Sequence, residues 1–394
     1  MNVLMLAACP FPTAGGTQVL IGDMASALAR AGVRVELVTY GVGAGNLKAH
    51  DAAVPYRVHR APAVPGHRRL AAGPTWRRPV ADAGLAAAAT RAAHRARRDG
   101  RPFDLVHAHN YEGALAGAIV ARVYGLPLLY HAHNLMGDEL ETYFATQRAR
   151  TVARWVGKAL DRTVPRLGDA TVSVSRHAQR RLRALTGGQP IEYQPPAVRY
   201  GPPARQLVPS QVLYAGNLDG YQSLDVLDAA LARLPDVQCT VVSRTPWSGR
   251  SRVRWVLDQG FESLKPYLEG AQVAVLPRTV PSGFPVKLVN YLCAGTPVVA
   301  CESGAQGLGL EEGVWTVEDG DAVAFADAIS TLLGDGALRE RLAERAAEAA
   351  NRYGWEAHVA QLKEMYRGVV ANAGTRTAAG RKPVSHPTWT EGVA

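Results

Sequence analysis

Short apolar runs that alternate with amphipathic helical segments are the feature of this sequence that most limits its fold. Residues 3–8 are apolar enough for a buried strand, residues 18–31 form an amphipathic pattern, and residues 33–39 are apolar again. Continuous apolar strands joined by helices are typical of a parallel sheet that is covered on both faces. The first forty residues therefore predict a βαβ unit.

The same alternation continues in two blocks, which a segment rich in proline and glycine separates. Pro195-Pro196 and Gly201-Pro-Pro203 punctuate this segment. We therefore predict an α/β protein of two Rossmann-like, doubly wound parallel-sheet domains that face each other across a cleft. The predicted parts are a first domain at 1–190, a linker at 191–205, a second domain at 206–352, a final helix at 353–370 and a disordered tail at 371–394.

Composition narrows the class of protein. A hydrophobic content of 47% excludes wholesale disorder, and no apolar run reaches the ~20 residues that a membrane-spanning helix needs. The segment at 3–8 is interpreted as a strand, not as a signal peptide. Four scattered cysteines without C-x-x-C spacing indicate reduced core thiols in a cytoplasmic protein.

A net charge of +10 favours a phosphorylated ligand, nucleic acid or an anionic membrane surface, and does not choose among them. No helix-turn-helix, finger or RNP-like sequence is present, so nucleic acid is not an expected partner. The densest basic region, 57–78, interleaves cations with Leu70 and Trp76. It predicts peripheral contact with the inner face of the membrane, with a solvated basic face as the alternative. Arg68, Arg69 and Trp76 are the candidates for this side.

Four histidines lie near two predicted strand ends, at His107, His109, His131 and His133. Strand alternation is expected to separate the two members of each pair onto opposite faces. His133 is the best candidate for a polar contact with a ligand, because Asn134 and Glu139 follow it. The other three histidines are expected to be buried. No H-E-x-x-H or similar spacing is present, so we expect no metal site.

An anion site is predicted where residues 271–276 form a strand and a helix begins near Lys287. Arg278 and Lys287 bracket a loop with two prolines and a glycine, and a helix N-terminus favours an anion. Gly216 and Asn217 lie in a small-residue turn of the same domain. A diphosphate would be held there without a metal. In the first domain, Gly15 and Gly16 would let a ligand approach the backbone.

The segments VLMLAACPFPTAGGTQVLIGDMASALARAGVRVELVT, FDLVHAHNYEGALAGAIVAR, LLYHAHN, VLYAGNLDGYQSLDVLDAAL and AVLPRTVPSGFPVKLVNYLCAGTPVVACESGAQGL carry a family resemblance over nearly residues 1–370. Together they resemble the retaining GT-B glycosyltransferases of the group 1, glycogen-synthase-like class. The resemblance implies transfer of a sugar from a nucleoside diphosphate donor with retention at the anomeric carbon. It places the donor on the C-terminal domain and the acceptor on the N-terminal one, requires no cofactor, and implies that the helix at 353–370 crosses back to the N-terminal domain. The acceptor is a saccharide, a lipid-linked saccharide or a small molecule.

The resemblance also implies roles for individual residues. Arg278 and Lys287 would offset the charge of the leaving diphosphate, and His133 would hydrogen-bond the donor sugar. The expected donor-binding residues are Gly15, Gly16, Gly216, Asn217, Ser282, Gly283, Phe284 and Asn290, with Glu139 on the acceptor side. Ser282 and Asn290 occupy positions where the class usually has a Glu-x7-Glu pair, and Asn217 and Gln222 replace its usual arginine and lysine.

Two other functions fit the same sequence. A nucleotide-sugar epimerase can have the same architecture, and interconversion of UDP-sugars without an acceptor would distinguish it. A non-catalytic scaffold that binds carbohydrate or membrane is the second alternative, and it would bind no nucleoside diphosphate.

Overall fold

The structure is a computed structural model that describes residues 1–13, 15–64, 77–187, 189–281 and 283–378. The chain divides into two compact units, one built from Met1–Gln194 with the chain from His358 onward, and one from Pro195–Ala357. The predicted site residues Arg68, Arg69, Trp76 and Ser282 lie outside the described residues, as does the tail from residue 379.

The first unit contains a seven-stranded parallel sheet. Its strands are β1 (Asn2–Ala7), β2 (Arg34–Thr39), β3 (Arg57–Arg60), β4 (Leu105–His109), β5 (Leu128–Ala132), β6 (Ala170–Ser173) and β7 (Ile191–Tyr193), in the order β3-β2-β1-β4-β5-β6-β7. Its helices are α1 (Gly16–Arg30), α2 (Leu47–Ala53), α3 (Arg78–Arg98), α4 (Asn110–Tyr124), α5 (Met136–Glu139), α6 (Gln147–Thr163) and α7 (Arg176–Thr186).

The strand β1 lies at the centre of this sheet. Leu6 is in register with Val38 of β2 on one side and with Ala108 of β4 on the other. Residues 3–8 are all fully buried, which explains why β1 is continuously apolar instead of alternating. Because all the strands are parallel, their carboxyl ends lie along one edge, where ligands bind in folds of this type.

The second unit contains a six-stranded parallel sheet. Its strands are β8 (Ser210–Ala215), β9 (Cys239–Ser243), β10 (Arg254–Leu257), β11 (Ala271–Leu276), β12 (Val298–Cys301) and β13 (Val314–Val317), in the order β10-β9-β8-β11-β12-β13. Its helices are α8 (Leu224–Leu231), α9 (Phe261–Gly270), α10 (Val286–Cys293), α11 (Glu302–Ala305), α12 (Ala322–Gly334) and α13 (Gly336–Ala350).

Successive residues of the central strand β8 pack into two different apolar clusters, one on each face of the sheet. Val212 and Tyr214 pack in one apolar cluster, while Leu213 and Ala215 pack in the other. The sheet therefore has helices on both faces, as a doubly wound fold requires. The predicted fold of two Rossmann-like parallel-sheet units is confirmed.

Two boundaries differ from the sequence predictions. Ile191–Tyr193 pairs with β6 as the last strand of the first sheet, so the first unit extends to Gln194 and not to residue 190. The last helix, α14 (Trp355–Ala378), continues eight residues into the predicted disordered tail. Its apolar side is buried from Val359 to Val369.

All four cysteines are free, and Cys9, Cys239 and Cys301 are buried. Burial raises the pKa of the Cys9 and Cys239 thiols to about 12, which keeps them protonated. Among the described helices, none combines the length and apolar character needed to cross a membrane.

Candidate functional site

The side chain of Lys287 connects the start of α10 to the end of β8. Its Nζ donates hydrogen bonds to Tyr214 Oη at 2.8 Å and to Gln222 Oε1 at 3.0 Å. The ammonium also lies 4.2 Å from the centre of the Tyr214 ring, within the range of a cation–π contact. Lys287 is in the first turn of α10, where backbone N–H groups lack helical partners. The N-terminus of α10 therefore combines the charge of the ammonium with the partial positive charge of the helix dipole.

Arg278 lies two residues beyond β11 and is only 8% exposed. Its Nε donates to the carbonyl of Val280 at 2.8 Å, and its guanidinium lies 5.3 Å from the centre of the Tyr221 ring. Burial lowers the pKa of Arg278, although an arginine remains charged at neutral pH. The carboxyl end of β11 therefore presents a buried cation.

The environment shifts the titration of Lys287 into the neutral range. Burial is the main cause, the charge of Arg278 adds to it, and the opposing charge of Asp219 is smaller, so the pKa of Lys287 falls to about 7. Both cations would be stabilised by an anion, because an anion offsets the cost of holding two positive charges near each other in a partly dry site. The arrangement is suited to a diphosphate.

Asn217 organises the turn that holds the partners of Lys287. Its Nδ2 donates to Tyr221 Oη at 2.6 Å, and its Oδ1 accepts from Gln222 Nε2 at 2.7 Å. Its backbone carbonyl accepts from Tyr214 Oη at 2.6 Å. Asn217 thus fixes both side chains to which Lys287 donates.

The backbone at Gly216 leaves room for the lysine. Gly216 has a φ of +134°, and a Cβ at this position would lie 2.8 Å from Lys287 Nζ. A larger residue would be strained by its backbone conformation and would displace the ammonium. The position of the Lys287 ammonium therefore requires a glycine at residue 216.

The loops after β8 and β11 are joined by a second contact. Ser223 Oγ and Thr279 Oγ1 are 2.7 Å apart, and the backbone N–H of Thr279 donates to Ser223 Oγ at 3.2 Å. Ser223 has a φ of +52°, an uncommon conformation for a residue other than glycine. Sequence reasoning missed Tyr214, Ser223 and Thr279, and it named Gln222 without its contact to Lys287, because nothing in the local sequence indicates a partner so distant in the chain.

The other predicted donor residues of this unit lie close by in the chain. Asn290 is half-buried on α10, one turn after Lys287. Gly283 has a φ of +70°, consistent with a tight turn before the helix. The ring of Phe284 packs against Tyr353, with ring centres 6.1 Å apart. Phe284 therefore also contributes to the core of this unit.

In the first unit, the four histidines form one buried cluster. His107 Nε2 and His131 Nδ1 are 3.2 Å apart, and His109 Nδ1 and His133 Nε2 are 2.9 Å apart. The expectation that strand alternation separates each pair is wrong, because residues two apart on a strand share a face. Neighbouring parallel strands β4 and β5 then bring the two pairs into contact.

Burial keeps these imidazoles neutral. It lowers the pKa of His107 and His133 to about 3, and the pKa values of His109 and His131 lie well below the usual value. A neutral His133 can still donate or accept a hydrogen bond to a sugar hydroxyl. Nitrogens of His107, His109 and His131 lie within 4.8 Å of one another, a spacing that a metal could use. Most of these nitrogens are already at hydrogen-bonding distance from a neighbouring ring or from Tyr366.

A second polar group lies at the carboxyl edge of the first sheet and was not predicted. Arg78 Nε lies 3.0 Å from Glu112 Oε1, and Tyr40 Oη donates to Asp82. Burial raises the pKa of Glu112 to about 7, partly opposed by Arg78. The one signal in the sequence was a glutamate at the start of an otherwise small-residue helix.

The remaining predicted residues of the first unit occupy the same edge. Gly15 is the N-cap of α1 and Gly16 its first residue. A Cβ at Gly16 would meet no described atom within 4 Å, so this turn is open to a ligand. Glu139 ends α5 and accepts a hydrogen bond from Tyr143 Oη at 2.6 Å.

Two family models match this sequence. The model described as "Glycosyl transferase 4-like domain" matches residues 15–197, and the model described as "Glycosyl transferases group 1" matches residues 209–335. The boundary between the two matches falls in the segment that joins the two units.

Curated relatives cover nearly the whole chain. The D-inositol 3-phosphate glycosyltransferase of Streptomyces scabiei is 26% identical over 399 residues, covering 90% of this chain and 86% of the relative. The enzyme of the same name from Pseudarthrobacter chlorophenolicus is 28% identical over 393 residues, covering 91% of each chain.

Solved structures show the same fold. Sucrose-phosphate synthase from Thermosynechococcus elongatus superposes with a TM-score of 0.74 at 19% identity, covering 94% of this chain and all of that one. Anabaena HepE in complex with UDP and glucose gives a TM-score of 0.70 at 17% identity, with 93% and 99% covered. The two family models together span most of the sequence, and both units have the parallel-sheet topology of this fold. The chain therefore belongs to the GT-B glycosyltransferases of group 1, which use nucleotide-sugar donors.

Proposed function

We propose that this protein transfers a sugar from a nucleoside diphosphate donor to an acceptor hydroxyl with retention of anomeric configuration and without a metal. The observation that carries the proposal is the pair Arg278 and Lys287 in the second unit. Both are held by neighbouring aromatic rings and by hydrogen bonds, and the pKa of Lys287 is lowered to about 7. Such a pair supplies the charge that a metal ion supplies to the diphosphate in other transferases.

The reaction proposed is a front-face displacement. The bond between the anomeric carbon and the β-phosphate oxygen breaks, and the acceptor oxygen bonds to the same face of that carbon. The acceptor proton goes to the departing phosphate oxygen, so no carboxylate base is needed. Lys287, Arg278 and the start of α10 offset the negative charge that develops on the diphosphate. This scheme agrees with the position of Asn290, where the class usually has a glutamate.

The first unit is the proposed location of the acceptor. A Cβ at Gly16 would meet no described atom, so the turn before α1 has room for a ligand. His133 follows β5 and its imidazole is neutral at pH 7, so it can donate a hydrogen bond to a sugar hydroxyl or accept one from it. The named activity of the curated relatives makes D-inositol 3-phosphate the first small acceptor to test. Saccharide and lipid-linked acceptors are tested alongside it.

A two-stage experiment tests the proposal. Thermal unfolding is first measured with UDP, GDP, ADP and TDP and with their sugars, and at least one is expected to raise Tm. Turnover is then followed by proton NMR with the matching donor, with and without EDTA. The product is expected to have the donor's anomeric configuration, and EDTA is expected to leave the rate unchanged. An inverted product would contradict retention, loss of activity with EDTA would contradict metal independence, and the absence of any nucleotide effect would contradict the donor site.

We expect binding of the nucleoside diphosphate to weaken as the pH rises from 7 to 9. In the free protein the pKa of Lys287 is lowered to about 7, and a bound diphosphate raises it. Below pH 7 the lysine is mostly protonated before binding, and at pH 7 about half of it is. Above pH 7, binding must take up a proton, so Kd is expected to rise by up to tenfold per pH unit. Titration calorimetry at several pH values measures this.

Lys287→Arg is the matched control for the pH experiment, because its side chain stays charged over this range. Its Kd is expected to be nearly constant between pH 7 and 9. A wild-type Kd that is equally constant would show that Lys287 does not contact the diphosphate.

A further inference from the structure

The helix α6 of the first unit exposes an apolar face to solvent. Val152, Trp155 and Val156 are 63%, 73% and 38% exposed. Their spacing of three and four residues places them on one side of the helix. Ala153, Gly157 and Asp161 are buried on the opposite side. The exposed apolar residues therefore contribute nothing to the core of the unit.

Cations surround this apolar face. The exposed basic residues of α6 are Arg148, Arg150, Arg154, Lys158 and Arg162. The one acidic residue of the helix, Asp161, is buried and accepts hydrogen bonds from the backbone N–H groups of Met136 and Gly137, both at 2.8 Å. The solvent-facing side of α6 is thus apolar and positively charged, with no acidic side chain of its own.

The surface continues beyond the end of α6. The turn Val164–Leu167 follows directly and adds Arg166 and the exposed Leu167. This turn packs against α4, whose Leu115, Ile119 and Val123 are about half-exposed at a spacing of four residues. We name the exposed side of α6 together with this turn the α6 surface.

We propose that the α6 surface docks on an anionic lipid bilayer, with Trp155 and Val152 entering the headgroup region and the arginines contacting lipid phosphates. A surface helix with a tryptophan on its apolar side and cations around it is suited to an interfacial position. Each cation near an anionic membrane surface adds to the attraction. The proposal does not depend on the proposed glycosyl transfer.

Charge favours the bilayer over a second copy of this chain. A two-fold interface through the α6 surface would place the same cations opposite one another. Arg154 is partly neutralised by Glu141, whose carboxylate accepts from its Nε at 2.9 Å, but the other four cations of α6 would still be brought together. An anionic lipid surface instead neutralises all of them.

Sedimentation with sucrose-loaded vesicles tests the proposal with the full chain. We expect binding to vesicles of phosphatidylcholine that contain about 30% of the anionic lipid phosphatidylglycerol, and little binding to phosphatidylcholine alone. Trp155→Ser and the double variant Arg148→Glu/Arg162→Glu are each expected to weaken binding at least tenfold. Brominated acyl chains are expected to quench wild-type fluorescence, and Trp155→Phe to lose most of that quenching.

Matched controls lie on the second unit. Val323→Ser removes an apolar side chain that is 46% exposed, and Arg233→Glu/Arg341→Glu makes the same change in net charge as the double variant on α6. Both are expected to bind like the wild type. Equal weakening by the control double variant would show that net charge alone drives binding and would overturn the assignment to α6. Absence of vesicle binding, or a dimer in ultracentrifugation that Trp155→Ser abolishes without vesicle binding, would also overturn it.

Discussion

Replacement of Lys287 by alanine is expected to lower kcat about 100-fold with the true donor, a loss of ~2.7 kcal/mol of transition-state stabilisation. The lysine donates to Tyr214 and Gln222 in the free protein, and we propose that it offsets the charge on the leaving diphosphate. Because this charge is larger in the transition state than in the bound donor, kcat is expected to fall more than KM rises. Steady-state kinetics with variable donor concentration separates the two.

The control is Lys265, a second lysine of the same unit that is 3% exposed and packs over the ring of Tyr200 at 5.0 Å. Lys265→Met keeps most of the apolar side chain and removes the charge, and it is expected to leave kcat within about threefold. A kcat for Lys287→Ala within twofold of the wild type would show that the phosphate assignment is wrong. Retention of the wild-type Tm in Lys287→Ala would show that the loss is not one of folding.

Replacement of Gly157 by alanine is expected to lower the free energy of unfolding by about 3 kcal/mol. A Cβ at this position would lie 2.2 Å from the carbonyl oxygen of Met136 and 2.7 Å from the backbone N of Gly137. These are backbone atoms, which cannot rotate away, so α5 and α6 would have to separate. Urea unfolding of the purified protein measures the change.

Gly84→Ala is the matched substitution in the interior of another helix. A Cβ there would lie 3.7 Å from Pro62 Cδ, an ordinary contact. Because alanine is the better helix former, this variant is expected to be as stable as the wild type or up to about 1 kcal/mol more stable. If the two variants had the same stability, the close approach of α5 to α6 would not be important for the fold.

The alternation of apolar and amphipathic segments was sufficient to predict the two parallel sheets. Buried parallel strands must be apolar on both faces, and residues 273–276 show that pattern directly. The least accurate predictions were the boundaries of the units. Ile191–Tyr193 is only three residues long, too short for its pattern to distinguish it from the proline-rich segment that follows.

The candidate site could be predicted only in part. The spacing of Pro285 and Lys287 indicates a helix start, so the cation there was found from local sequence. Its partners were not, because Tyr214 and Gln222 come from positions 73 and 65 residues earlier in the chain. The histidines illustrate the opposite case: their positions two apart already placed each pair on one face, and the prediction applied the strand period wrongly.

The return of α14 to the first unit has a consequence for the order of folding during synthesis. Tyr366 is fully buried and its hydroxyl lies 2.7 Å from His107 Nδ1, so the first sheet is completed by residues near the end of the chain. Domains of a growing chain usually fold from the N-terminus onward. Here the unit whose synthesis begins first is finished last, after the whole of the second unit has left the ribosome. Until then, the face of the first sheet around His107 has no permanent cover.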